Sequence, residues 1–269
     1  MPDIQNVVDE LRSLMLGQGA RLWKEAEKQR EAAWQAFARR ADLARMPKPL
    51  GVSGPSAKLF LSEIAAIGPR PLPDITPALH PMPVMLLPGF GAHPLRMRPL
   101  MKALTAAGHS PHEWGLGFNF GPTPENFAFL IDRVQTLARD EGAKIALVGW
   151  SLGGLFAREL AKNTAENVAC VITMGSPFSG DMRANNAWRA YEMVTGYAAD
   201  NSPIPGDFAQ KPPVPTVAIW SPKDGIVSPR SAAGWPTERD RAVSVRVNHL
   251  GFAHDPLAVA EVLRQLDLV

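Results

Sequence analysis

From residue 84 onward, short continuous apolar runs alternate with longer amphipathic stretches, and no other feature of the chain narrows its possible folds so far. The runs are Val84–Leu87, His109–Trp114, Lys144–Gly149, Ala169–Met174, Thr216–Trp220 and Val243–Val247. The clearest of them show no polar alternation, as expected of strands covered on both faces. Between and after them, Pro94–Ala107, Glu125–Arg139, Leu152–Ala165 and Pro256–Leu268 carry apolar residues at helical spacing. This repetition predicts an α/β chain with a mostly parallel sheet of about six strands, helices on both faces and right-handed crossovers. Reactive residues then belong on loops at the carboxyl ends of strands.

Composition excludes several classes. A chain of 269 residues with 46% hydrophobic and 20% charged residues buries a substantial core and is not disordered. Net charge is only +2 and the basic residues are spread along the chain, so a nucleic-acid partner is not expected. The single cysteine, Cys170, lies inside an apolar run, which rules out an intrachain disulfide and a cysteine metal cluster and favours a buried structural thiol. No cofactor or metal is called for. The start, Met1-Pro2-Asp3-Ile4-Gln5 followed by Asp9 and Glu10, lacks the pattern of a secretory signal, and no apolar stretch reaches membrane-spanning length. The expected location is cytoplasmic.

Three segments lie outside the alternation. Residues 1–50 read as a helical extension, with Ile4, Val7, Val8, Leu11, Leu14 and Met15 on one face and Leu22, Trp23, Ala26, Trp34 and Phe37 after a break at Gly17-Gln18-Gly19. Packing on the body or homo-oligomerisation suits this helical pair better than a membrane surface, because Glu25, Glu27 and Glu31 dilute its basic face. Residues 51–82, rich in Pro and Gly, read as a connector with a short helix near Ala57–Ile67. Residues 176–215 follow one strand and precede another without repeating the pattern. With Trp188, Tyr191, Met193 and Tyr197 on a helix, they form either a small cap over the site or a crossover helix with a long irregular return.

Gly149-Trp150-Ser151-Leu152-Gly153 joins the third strand to the helix after it. A sharp strand-to-helix turn lifts a serine clear of the sheet, and glycines two residues to either side permit the close backbone approach that the turn needs. A serine nucleophile requires a base and an acid that orients the base. Asp224, in Ser221-Pro222-Lys223-Asp224-Gly225, follows the fifth strand, and His249, in Asn248-His249-Leu250, follows the sixth. Singly, Asp224 reads as an Asp-Gly turn residue and His249 as a loop histidine; jointly, three qualifying residues in order at the ends of the third, fifth and sixth strands read as a triad. His254 is a second candidate base, further from its strand and next to the helix start Asp255-Pro256. Asp200 and Asp207 fall in the suspected cap, and Asp240 sits at the wrong end of the last strand. The oxyanion donors expected are the amides of Leu152 and of Phe90, in Pro88-Gly89-Phe90-Gly91-Ala92. That loop is a poor dinucleotide fingerprint, since it lacks a third glycine.

The segments Leu86-Leu87-Pro88-Gly89-Phe90-Gly91, Gly149-Trp150-Ser151-Leu152-Gly153-Gly154, Gly175-Ser176-Pro177-Phe178, Ser221-Pro222-Lys223-Asp224-Gly225 and Asn248-His249-Leu250-Gly251 resemble those of the α/β-hydrolase superfamily, in particular its bacterial esterase and lipase branch. The resemblance covers residues 83–269 and implies an α/β-hydrolase catalytic domain with Ser151 as nucleophile, His249 as base, Asp224 as its orienter, and Phe90 with Leu152 as the oxyanion hole. It departs from that branch at Pro88, where a His-Gly pair is common. The implied activity is hydrolysis of carboxylic esters of apolar acyl groups, with Trp150, Phe178, Trp188 and Phe252 as an apolar wall for a small-molecule ester or lipid. Transfer of the acyl group to an alcohol or amine by the same triad is an alternative. A catalytically silent scaffold acting through the amino-terminal helices is another.

Overall fold

The computed structural model describes residues 35, 38, 42, 54–65, 71–72, 74–198, 203 and 206–269. The chain divides into two compact units, Met1–Met46 and Pro47–Val269. In the first unit Gln35, Ala38 and Asp42 are helical; the rest of the helical extension expected there lies outside the described residues.

The second unit opens with α1 (Ala57–Ala65), inside the segment expected as a connector. The body then alternates β1 (Pro83–Leu87), α2 (Arg98–Ala106), β2 (Ser110–Glu113), α3 (Pro124–Glu141), β3 (Ile145–Trp150), α4 (Leu152–Asn163) and β4 (Val168–Met174). It continues with α5 (Trp188–Thr195), β5 (Thr216–Trp220), α6 (Pro229–Ala233), β6 (Arg241–Ser244) and α7 (Pro256–Leu266). All six strands are parallel, in the order β2-β1-β3-β4-β5-β6.

Side chains leave a strand on alternate faces, and here both faces are covered. Val84 and Leu86 of β1, Ala146 and Val148 of β3, and Cys170, Ile172 and Met174 of β4 pack with α2 and α7. Met85, Leu87, Ile145, Leu147 and Val171 pack on the other face with α3 and α4. Full burial of each such aliphatic side chain contributes about 1.5–3 kcal/mol. Cys170 is fully enclosed, and burial pushes its thiol up to about 12, so it is an inert part of this core.

Local chemistry sets the boundaries. Thr123 and Asn126 form a reciprocal capping box at the start of α3, Pro124 occupies its first turn, and Gly142 ends it at φ 63°. Asp255 caps α7 with Pro256 behind it. The helix expected over Pro94–Ala107 is broken into a 3-10 turn, Pro94–Met97, and α2, which restarts at Arg98-Pro99 because Pro99 cannot donate into the preceding turn.

The last strand is Arg241–Ser244, not Val243–Val247 as its apolar run suggests. Its neighbour β5 turns away after Trp220, so the ladder ends once the Val245 amide has bonded the Trp220 carbonyl at 2.9 Å. The Val247 carbonyl accepts from the Ser221 hydroxyl instead. Val245 and Val247 remain buried, which is what their hydrophobicity reports.

Candidate active site

The order of the sheet brings the loops after β1 and β3 side by side, because the chain runs outward from β1 to β2 and then returns to build β3 on the opposite flank. Such a switch of direction opens a crevice at the carboxyl ends of the strands. Ser151 stands there between β3 and α4 at φ 54° and ψ −121°, the one non-glycine residue with positive φ among the described residues. The turn is tight enough to require glycine around it. A Cβ on Gly149 would lie 2.3 Å from the Gly153 carbonyl oxygen, and one on Gly153 would lie 2.1 Å from that of Leu87. The Ser151 amide donates to the Met174 carbonyl at 2.8 Å, tying the turn to the end of β4.

His249 and Asp224 meet below the surface. The His249 Nδ1 lies 2.8 Å from the Asp224 Oδ2, and the two residues are 3% and 1% exposed, so solvent screens their contact little. Asp224 Oδ1 accepts the amides of Ile226 and Val227, each at 2.8 Å, which leaves Oδ2 directed at the imidazole. With the carboxylate on Nδ1, a neutral ring carries its proton there and presents Nε2 as an acceptor. Trp150, next to Ser151, donates its indole N–H to the His249 carbonyl at 3.1 Å. Gly175, at φ 57°, gives way to the other side of the pair: a Cβ there would sit 2.6 Å from the Phe252 ring and 3.1 Å from Asp224 Oδ2.

Ser151 opens onto a mainly apolar cleft enclosing about 590 Å³ including its mouth. Phe90 and Leu152 border it, as do Leu155, Trp188, Tyr191, Phe208, Ile226 and Val227. The Phe90 and Tyr191 rings meet edge to face at 5.6 Å. Gly89 backs against the serine, since a Cβ on it would be 3.2 Å from that of Ser151. Asn119 holds this loop with its side-chain N–H on the Pro88 carbonyl at 2.7 Å and its backbone carbonyl on the Gly91 amide at 2.7 Å. No cluster of His, Cys, Asp or Glu suited to a metal occurs among the described residues.

Of the four aromatics expected to wall the site, Trp188 lines the cleft. Trp150, Phe178 and Phe252 do not: each is buried beneath it, Trp150 and Phe252 against His249 and Phe178 under the Arg158 guanidinium at 4.1 Å. They support the loops and leave contact to Tyr191, Phe208, Ile226 and Val227. The other candidate acids lie elsewhere. Asp240 bonds Lys211 and the Thr216 amide at the amino end of β5, Asp207 caps its own loop through the Ala209 amide, and Asp200 lies outside the described residues. His254 lies beyond the 3-10 turn Leu250–Ala253 and does not border the cleft.

Residues 82–206 match the family model described as alpha/beta hydrolase fold. The chain has the α/β-hydrolase fold. Solved structures similar to it include one of the metagenome-derived lipolytic enzymes LipS and LipT, 14% identical with a TM-score of 0.54, covering 74% of this chain and 100% of that one. Another is 2-hydroxy-6-oxo-6-phenylhexa-2,4-dienoate hydrolase from Rhodococcus sp. strain RHA1, 15% identical with a TM-score of 0.52, covering 70% and 91%. At such identities the likeness is one of fold. A search of curated proteins returns no significant match. No helix among the described residues is long and apolar enough to cross a membrane. Ser151, Asp224 and His249 follow strands β3, β5 and β6 in that order along the chain.

Proposed function

We propose that the protein is a serine hydrolase acting on carboxylic esters with apolar acyl groups. The observation that carries this reading is Ser151 at positive φ on an apolar cleft, with a buried Asp224–His249 pair whose histidine carbonyl is bonded by the adjoining Trp150. The Ser151 Oγ attacks the acyl carbon while His249 Nε2 accepts the hydroxyl proton. The carbonyl electrons move to oxygen, and the amides of Leu152 and Phe90 stabilise that oxyanion, each donor contributing about 3–4 kcal/mol. Collapse re-forms the carbonyl and breaks the ester C–O bond. The proton on His249 passes to the departing alcohol, leaving an acyl-serine. Water repeats the sequence, giving its proton to His249, and the acid leaves as the proton returns to Ser151.

Asp224 holds the ring in the tautomer this needs and stabilises the transient imidazolium. The walls favour an uncharged acyl chain, because among the described residues lining the cleft none is Lys, Arg, Asp or Glu. The test is labelling with a fluorophosphonate probe together with a panel of p-nitrophenyl esters of increasing acyl length. Stoichiometric modification of Ser151, lost in Ser151→Ala, with turnover of the shorter or medium chains, is the expected result. A folded protein that is neither labelled nor active on any ester ends the proposal. Product analysis with competing alcohols separates hydrolysis from acyl transfer.

A further inference from the structure

Helix α1 precedes the sheet in the chain and lies outside the residues matched by the family model, yet it delivers a buried carboxylate to the two loops that matter most. Glu63 is 2% exposed. Its Oε1 accepts the amide of Gly225 at 2.7 Å and the amide of His249 at 2.7 Å, and its Oε2 accepts the amide of Leu250 at 3.0 Å. One side chain thereby joins the residue after Asp224 to His249 itself. Around it α1 lies close on the acid loop. A Cβ on Gly225 would be 2.3 Å from the Leu59 carbonyl oxygen, and the Asn186 side chain donates to the carbonyls of both Pro55 at 3.1 Å and Gly225 at 2.8 Å.

The geometry points to Glu63 as a positioning residue that fixes the separation of the Asp224 and His249 loops, so that the chain ahead of the sheet completes the acid–base pair. This inference rests on the triad reading above. Its physical basis is the early end of β6. Sheet pairing stops at Val245, and nothing in the ladder sets the position of His249. The His249 backbone is held instead at both of its polar groups, the N–H by Glu63 and the carbonyl by Trp150. Three donors converging on two oxygens require a group that only accepts. A glutamine presents its NH2 to at least one of these amides, whichever way it is turned. Charge-assisted bonds of this kind also offset the cost of burying the carboxylate.

The test is Glu63→Gln in the full chain, with two readouts. The first is steady-state hydrolysis of a p-nitrophenyl ester: kcat is expected to fall about 10- to 100-fold, the loss that follows misplacement of a catalytic group by about 1 Å, with KM within about threefold. The second is the downfield proton resonance of His249 Nδ1–H bonded to Asp224, expected to shift and broaden in the variant. Where Glu63→Gln is too unstable to study, Gly225→Ala, which presses on the Leu59 backbone and on the Glu63 side chain while keeping its carboxylate, is expected to disturb the same resonance. A well-folded variant with an unchanged resonance and kcat within about twofold overturns the inference. The resonance is independent of turnover, so if the wild-type protein proves neither labelled nor active, the ester-hydrolase reading falls while the comparison of spectra still judges Glu63.

Discussion

Ser151 sits in backbone territory that L-residues with a Cβ avoid, and holding it there costs about 1–3 kcal/mol. Glycine meets no such penalty, although it gains more freedom in the unfolded chain. Ser151→Gly is therefore expected to abolish fluorophosphonate labelling and at the same time to stabilise the fold by about 1 kcal/mol, seen as a rise of roughly 2–4 °C in the melting temperature. A variant that melts below the wild type contradicts the account of strain. This position was legible in the sequence because Gly149 and Gly153 are where a turn of this radius admits no Cβ. Glu63 was not legible: a lone glutamate on a short helix of a Pro-rich segment reads as a solvated charge, and its amide partners lie 162 to 187 residues away. Nor could spacing separate aromatics that line the cleft from those beneath it, since both obey the same preference for burial.

Among the elements, the strands were the most readable, because a run such as Ile145–Val148 has to be covered on both faces and is too short to be a helix. The ends were less so. Val245 and Val247 are apolar for the core, not for the ladder, and α6 (Pro229–Ala233), one turn capped by Ser228, is too short to show a period. The edge strand β2 carries a testable electrostatic feature just ahead of it. His109 is buried, and that burial lowers its imidazole below the ordinary 6.5; its Nδ1 accepts the Met82 amide at 3.2 Å, which requires the neutral ring. A histidine with a depressed value in the folded state binds its proton more readily when unfolded. Its contribution to stability is therefore complete above 6.5 and is lost as the pH falls toward the folded value. Urea denaturation from about pH 7 to pH 5 is expected to show a falling midpoint, with a shallower fall in His109→Leu. Equal slopes in the two proteins refute this assignment.

Across the whole second unit, the cleft depends on how the segment between β4 and β5 is fastened to the body. Arg158 of α4 provides that fastening: its guanidinium donates to the carbonyls of Phe208 at 2.7 Å, Ala209 at 3.1 Å, Gln210 at 3.1 Å and Glu238 at 2.9 Å, while lying over the Phe178 ring. Burial pushes it down to about 10, which still leaves it charged at neutral pH. Arg158→Met fills much of the same space but strands these acceptors, so a loss of about 3 kcal/mol or more is expected in thermal denaturation. Because Phe208 lines the cleft, KM for an apolar ester is expected to rise more than kcat falls, and Ser151 stays reactive to the probe. A variant with unchanged stability and KM removes Arg158 from this role. The segment's departure from the β-α rhythm was visible in the sequence, but its attachment was not, because an arginine inside an amphipathic helix normally faces water.

The order of the strands has a temporal corollary. Among them β6 is both the outermost on its flank and the last in the chain, and the histidine arrives with it. On the proposed chemistry, a polypeptide still emerging from the ribosome carries the serine turn about a hundred residues before its proton acceptor exists, and is expected to be inert toward acylating compounds until that final ribbon adds to the margin. Onset of reactivity during synthesis or refolding would then report the arrival of one strand.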